Sequence, residues 1–147
     1  MTPRHVVLSI TGAAQAAGQL PDEIHLVTTG LLTPLKEGFQ LDYQESQPDG
    51  SEVQDIRLLM ERRRVTMTRT GDYGATMVFE KGRRFESLYH TPYGDMEMAV
   101  FPTRVSVSLG EEQGNVHLQY QLDFQGQFAS VNDLTVQYRQ SASRRPS

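Results

Sequence analysis

Two residues of opposite charge lie where the sequence pattern places apolar side chains. Glu45 extends an alternation that runs through Tyr43, and Arg69 extends the alternation of Val65 and Met67. Because successive side chains of a strand point to opposite faces, both charged groups are predicted to point inward with the apolar ones. An ionised group buried alone costs several kcal/mol, so each of the two needs a partner.

Two roles for Arg69 follow from this placement. In the first hypothesis, its forked donors hold the carboxylate or phosphate of a small ligand, and Glu45, Tyr43, Tyr89 and Tyr120 complete the ligand site. In the second, Arg69 forms an ion pair with Glu45 near a rim of the fold, where strand ends meet water. The sequence leaves both roles open. The substitution Arg69→Ala separates them, because loss of stability without loss of ligand retention would exclude the first role.

Other kinds of site chemistry find little support in the residue types and spacings. The absence of cysteine excludes disulfides, thiolate zinc sites and cysteine nucleophiles. His5, His25 and His117 fall on the faces opposite the apolar stripes and are predicted to be solvated, and no pair among the four histidines has metal-ligand spacing. Asp95 and Glu97 share a strand face but follow a turn, and no serine lies in a Gly-x-Ser-x-Gly motif. We therefore predict neither an enzyme nor a bound cofactor or metal.

The charge and hydropathy of the chain limit its partners. A formal net charge of −4 gives no general attraction for polyanions. The arginine run 62–64 adjoins Glu61 and lacks interleaved aromatic residues, which predicts a solvated turn and no nucleic-acid contact. No apolar stretch approaches the roughly 18 residues needed to span a bilayer, and no signal-peptide pattern is present. The expectation is a cytoplasmic protein, most naturally of a bacterium, without a membrane partner.

Period-2 alternation, interrupted by turn residues, is the dominant pattern of the whole chain. In the clearest run, residues 115–124, one face carries only apolar and aromatic side chains: Val116, Leu118, Tyr120, Leu122 and Phe124. Similar runs follow one another with turn-rich segments between them, such as residues 47–50. The pattern predicts an all-β fold, a single antiparallel β-barrel of about 8–10 strands, because closure removes exposed edges. A β-sandwich is the alternative.

The chain is long enough for one domain with its own core. We assign residues 1–140 to this barrel and expect the polar tail 141–147 to be disordered. Residues 13–18 are predicted to form a loop, and Pro102 is predicted to bend or bulge a long strand. The sequence of residues 91–94 is typical of a tight turn with an exposed tyrosine at its tip.

The order of short motifs resembles the YwiB-like family, small bacterial proteins grouped as a domain of unknown function. The matching residues are Thr29-Gly30, Tyr43, Glu45, Arg69-Thr70-Gly71, Met77, Phe79, Gly82, Thr91-Pro92-Tyr93-Gly94, Met98, Thr103, Gly114, Tyr120 and Asn132. The resemblance spans residues 6–138 and is most specific from 69 to 103. It implies a calycin-type, lipocalin-like barrel and no agreed activity. Calycins often bind small apolar molecules, but this chain has no tryptophan and so lacks the lipocalin Gly-x-Trp signature.

Two functions are compatible with these observations. In the leading hypothesis, the barrel binds a small, partly apolar molecule, with Arg69, Glu45 and the tyrosines as polar contacts. In the alternative, six methionines and six phenylalanines help fill the barrel, which then serves as a structural or protein-interaction module, for example as a homodimer. A bound small molecule favours the first function, and a filled barrel with a large dimer interface favours the second.

Overall fold

The computed structural model describes residues 2–46 and 53–141, and every regular element in them is a β-strand. The predicted turn at residues 47–50 and residues 142–147 of the predicted tail lie outside this description. The strands are β1 (Arg4–Gln15), β2 (Asp22–Leu35), β3 (Gly38–Ser46), β4 (Val53–Glu61), β5 (Val65–Thr70), β6 (Ala75–Phe79), β7 (Phe85–Thr91), β8 (Gly94–Ser108), β9 (Gln113–Phe124) and β10 (Gln127–Gln140).

The alternation in the sequence produces one buried and one solvated face on most strands. In β9, for example, Val116 and Leu118 are almost fully buried, and Tyr120 is buried as well. The inward faces of the ten strands enclose one continuous core of aliphatic, methionine and aromatic side chains. Among the described residues, every buried side chain is hydrophobic or a tyrosine. Burial of this apolar surface is the main favourable contribution to folding.

All ladders are antiparallel and form one sheet in the order β6-β5-β4-β3-β2-β1-β10-β9-β8-β7. The sheet curls so that its two end strands, β6 and β7, meet. Gly74 and His90 exchange two backbone hydrogen bonds of 2.9 and 2.8 Å across this seam, and Ser87 Oγ donates to the Thr76 carbonyl at 2.9 Å. The predicted antiparallel barrel is therefore confirmed. It is nearly closed, has no helix in the described residues, and is consistent with a lipocalin-like barrel.

Two local predictions have different outcomes. The loop expected at residues 13–18 is wrong for its first half, because β1 continues to Gln15. Ala13 and Ala14 pair with β2 on one side and β10 on the other, and these ladder hydrogen bonds override the weak strand propensity of alanine. The irregularity expected at Pro102 is confirmed, since the register of β8 against β9 shifts between Pro102 and Arg104.

Strands β2 and β3 diverge toward one end of the barrel. The β2–β3 ladder includes only residues 31–35 of β2 and residues 38–42 of β3. Within the part of the chain that the structure describes, the earlier part of β2 pairs only with β1, and residues 43–46 of β3 pair only with β4. We call this end the open end; the odd-numbered strands finish there and the even-numbered strands begin there.

A tyrosine joins two strands and a turn near the opposite end. Gly114 of β9 is the register partner of Tyr138 of β10, whose ring occupies the space that a Cβ atom at Gly114 would need. The Tyr138 hydroxyl accepts a hydrogen bond from the Gly110 amide at 3.2 Å and donates one to the Gly110 carbonyl at 2.8 Å. The glycine at position 114 thus allows the ring to cover the strand and reach the β8–β9 turn.

Candidate functional site at the open end of the barrel

An ion pair with a bridging amide lies at the open end. Arg69 Nη1 donates to Glu45 Oε1 at 2.7 Å and to Gln54 Oε1 at 2.9 Å. Glu45 lies opposite Gln54 in the β3–β4 ladder, and Arg69 lies opposite Ile56 in the next ladder. The ion pair that the second hypothesis expected is present in the structure. Gln54 was missed, although it extends the inward alternation of Ile56 and Leu58 and could have been found by the same reasoning.

Two buried tyrosines accompany this ion pair. Burial, with a smaller contribution from Glu45, raises the pKa of Tyr43 far above its ordinary value, and Arg69 partly opposes the shift. Burial also raises the pKa of Tyr120 to about 12, again against the influence of Arg69. Both phenols are neutral at physiological pH. In the described part of the chain, neither hydroxyl makes a hydrogen bond to another residue.

The arginine keeps unused hydrogen-bonding capacity. Both of its side-chain hydrogen bonds within the described residues use Nη1, which leaves Nε and Nη2 without a described acceptor. The Arg69 side chain is 25% exposed and that of Glu45 is 26% exposed, so the pair lies at the boundary between core and solvent. The group of Arg69, Glu45, Gln54, Tyr43 and Tyr120, which we call the inner polar cluster, is neutral overall and rich in donors.

Tyr89, the fifth residue of the predicted site, belongs to a neighbouring aromatic group. Its ring centroid lies 6.2 Å from that of Tyr73 and 5.6 Å from that of Phe124. The Tyr73 carbonyl accepts a hydrogen bond of 2.7 Å from Gln54 Nε2, which connects this group to the inner polar cluster. The structure thus brings four of the five predicted residues together and places Tyr89 beside them, on the strand that forms the seam.

A second set of polar groups lies on the outer face of β9 and β10. His117 Nε2 lies 2.9 Å from Asp133 Oδ1, and Gln119 Nε2 donates to Asp133 Oδ2 at 2.7 Å. Although partial burial acts in the opposite direction, hydrogen bonds from Gln119 and His117 lower the pKa of Asp133. The prediction of a solvated His117 is therefore wrong in part, since this ring is half-buried and paired, whereas His5 and His25 are exposed.

The arginine run and the exposed tyrosine that the sequence pointed out both lie in turns between strands. Arg64 pairs with Glu61 at 3.0 Å across the predicted β4–β5 turn, and residues 62–64 are exposed. Tyr93 is 92% exposed at the tip of the β7–β8 turn, as predicted. Among the residues that the structure describes, no three His, Asp or Glu side chains are arranged to hold a metal ion. The same residues include no helix long and apolar enough to cross a bilayer.

Comparisons with known proteins identify the fold and the family of the chain. The crystal structure of the ywiB protein from Bacillus subtilis superimposes with a TM-score of 0.83 at 18% sequence identity. The match covers 95% of this chain and 94% of that one, and at this identity it establishes the fold alone. No curated protein matches the sequence. The family described as a domain of unknown function, DUF1934, matches residues 8–136, and the chain belongs to this family.

Proposed function

We propose that the protein binds a small, partly apolar molecule at the open end of the barrel, with its polar group in the inner polar cluster. One observation carries the proposal. Two buried tyrosine hydroxyls, at Tyr43 and Tyr120, lack a hydrogen-bond partner among the described residues, beside an arginine with unused donors. A buried polar group without a partner costs roughly 1–3 kcal/mol, so a ligand oxygen that bonds to it recovers this free energy on binding.

The chemistry of the cluster restricts the polar group of the ligand. Arg69 supplies only donors, whereas each tyrosine hydroxyl can both donate and accept. Because Glu45 already balances the charge of Arg69, the cluster does not require a second full negative charge. An oxygen acceptor such as a carbonyl or a carboxylate satisfies these groups, and a cation does not.

Half-buried apolar side chains at the same end provide contacts for the apolar part of the ligand. Leu26, Phe124 and Leu134 pack against the core without being fully buried, and Phe124 contacts the ring of Tyr89. Phe124 is the last residue of β9 and Leu26 is the fifth residue of β2, so both lie toward the open end, and Leu134 lies opposite Gly12 in the last part of β1. A ligand with an apolar body next to its oxygen acceptor therefore finds contacts of both kinds, which is the usual composition of a small-molecule site.

The proposal can be tested with 8-anilinonaphthalene-1-sulfonate, a fluorescent probe with an aromatic body and oxygen acceptors. We expect the native protein to bind the probe and Arg69→Gln to weaken binding about tenfold or more, as expected for loss of a hydrogen bond to a charged group. Arg57→Gln is the matched control, because Arg57 forms a 2.7 Å pair with Asp42 on the outer face of the barrel.

Three outcomes of this experiment would count against ligand binding. They are no binding by the native protein, equal loss in both arginine variants, and unchanged binding in Arg69→Gln. Because Arg69→Gln also removes an ion pair, Tyr120→Phe serves as a second variant that keeps the ring and its packing against Phe79. We expect it to weaken binding about fivefold while the circular dichroism spectrum stays that of the native barrel.

The alternative function, a structural or interaction module, has support from the rest of the interior. Met60, Val65 and Phe79 are fully buried, and further aliphatic side chains pack around them. A barrel filled in this way needs no ligand for stability. Under this alternative, the inner polar cluster is a structural ion pair at the rim, and none of the cluster variants affects probe binding more than Arg57→Gln does.

A further inference from the structure

One edge of β2 has no partner strand among the described residues over its first eight positions. Residues 22–32 pair with β1, but the ladder with β3 includes only residues 31–35 of β2. Within the described chain, no other backbone hydrogen bond reaches residues 22–29. Each unpaired amide and carbonyl on such an edge can bond to a strand of another molecule, so a free edge of this length is a site for strand addition.

Apart from Asp22 and Glu23 at its start, the free edge lacks the usual devices that prevent strand addition. Natural proteins protect exposed edges with lysine, proline, bulges or very short strands. Residues 22–31 contain no lysine, arginine or proline, and their ladder with β1 is regular throughout. Ile24 is 58% exposed and Val27 is 63% exposed, so the segment carries two uncovered apolar side chains, one on each face. The edge thus combines unpaired backbone groups with uncovered apolar surface.

We infer that the free edge of β2 pairs with the same edge of a second copy of the chain, in antiparallel orientation about Leu26. In this pairing Leu26 lies opposite Leu26 of the second copy, and Ile24 lies opposite Thr28. The cross-strand contacts cover Ile24 and Leu26 on the inner face and Val27 on the outer face.

Charge and symmetry favour a second copy as the occupant of the edge. Asp22 and Glu23, the two acidic residues of the segment, lie opposite Gly30 and Thr29 of the second copy, so no like charges face each other. An isologous contact of this kind closes on itself and gives a dimer with two-fold symmetry rather than a filament. Residues 22–29 contain no lysine or arginine that would select an acidic peptide, and their one histidine, His25, lies opposite Val27 of the second copy.

A single engineered cysteine tests the pairing directly, because the chain has none of its own. Directly opposed residues of an antiparallel ladder have Cα atoms about 4.5–5.5 Å apart, within the range that a disulfide spans. Leu26→Cys is expected to form a covalent dimer rapidly when the folded chain is mildly oxidised. The control is Val131→Cys, since Val131 is 52% exposed on β10, a strand with partners on both sides. Equal or slower cross-linking of Leu26→Cys overturns the inference.

A second measurement does not depend on substitution of the half-buried Leu26. Sedimentation of the full chain is expected to give a dimer that dissociates on dilution, and Val27→Lys is expected to give a monomer with an unchanged circular dichroism spectrum. Val131→Lys adds the same charge at a paired strand and is expected to leave the dimer intact. A native chain that is monomeric at every concentration, or a Val27→Lys chain that remains dimeric, refutes pairing with a second copy.

Discussion

The hydroxyls of Tyr120 and Tyr138 differ in their hydrogen bonding although both residues are buried. Tyr138 makes two hydrogen bonds to Gly110, whereas Tyr120 makes none within the described chain. We expect Tyr138→Phe to lower the free energy of unfolding by about 1–2 kcal/mol and Tyr120→Phe to change it by less than about 1 kcal/mol, in either direction. Urea unfolding of the unliganded variants at neutral pH measures both values. A larger loss for Tyr120→Phe would mean that its hydroxyl has a partner in the folded protein.

Because the pKa of Tyr120 is raised, the free energy of unfolding depends on pH in the alkaline range. A tyrosine is neutral when protonated, and its ordinary pKa of 10.0 rises to about 12 in the fold, with burial as the main cause. The stabilisation that comes from the neutral Tyr120 side chain is complete below pH 10. It is lost as the pH rises toward 12, because Tyr120 releases its proton at a lower pH in the unfolded chain than in the folded one. Within this window the free energy of unfolding should fall by about 1.4 kcal/mol per pH unit for this residue. Urea unfolding between about pH 9.5 and 11.5 should therefore give a shallower decline for Tyr120→Phe than for the native chain, and parallel declines would contradict the assignment.

Side-chain direction at single residues could be predicted from the sequence, because it depends only on local alternation. That reasoning placed Arg69 and Glu45 inward, and the structure joins them at 2.7 Å. The same reasoning could have included Gln54, which lies opposite Glu45. The pairing of His117 with Asp133 on the neighbouring strand was not predicted, because it depends on the register of β9 against β10, which is not a local property.

At the scale of elements, the pairing of β9 with β10 depends on the absence of a side chain at Gly114. A Cβ atom there would overlap the ring of Tyr138, so Gly114→Ala must displace the ring and weaken its bonds to Gly110. We expect a loss of about 1–3 kcal/mol in the free energy of unfolding, the usual cost of overpacking. In a double-mutant cycle, Tyr138→Leu should reduce the cost of Gly114→Ala, measured by urea unfolding. Additive effects of the two changes would show that the ring does not limit position 114.

The limits of individual elements were less predictable than their existence. The alternation of Val6, Leu8 and Ile10 is typical of a strand, but the continuation of β1 to Gln15 depends on partners in β2 and β10 that are distant in sequence. The divergence of β2 from β3 likewise depends on a neighbouring strand and not on the sequence of β2 itself. Whether residues 22–29 have a partner depends on where β3 ends its ladder, and the sequence of β2 carries no information on that.

At the scale of the whole molecule, the barrel is held closed by unequal contacts. Nine ladders join consecutive strands of the sheet, whereas the seam between β6 and β7 has one backbone bridge and the bond from Ser87 to Thr76. Backbone amides exchange with solvent through the opening that costs the least free energy. The seam, which also borders Arg69 through Gly74 and Ala75, is therefore the part of the wall expected to open first.

Native-state hydrogen exchange can measure this order of opening. We expect the amides of β6 and β7 to exchange through a lower-energy opening than those of β9, which is paired on both sides. Ser87→Ala should speed exchange along the seam about fivefold, because it removes a hydrogen bond of about 1 kcal/mol. Thr103→Ala is the matched control, since its hydroxyl also donates to a backbone carbonyl, that of Gln119, but between strands that are already paired. Equal protection of β7 and β9 in the native chain, or equal acceleration of the seam by both substitutions, would mean that the barrel opens as one unit.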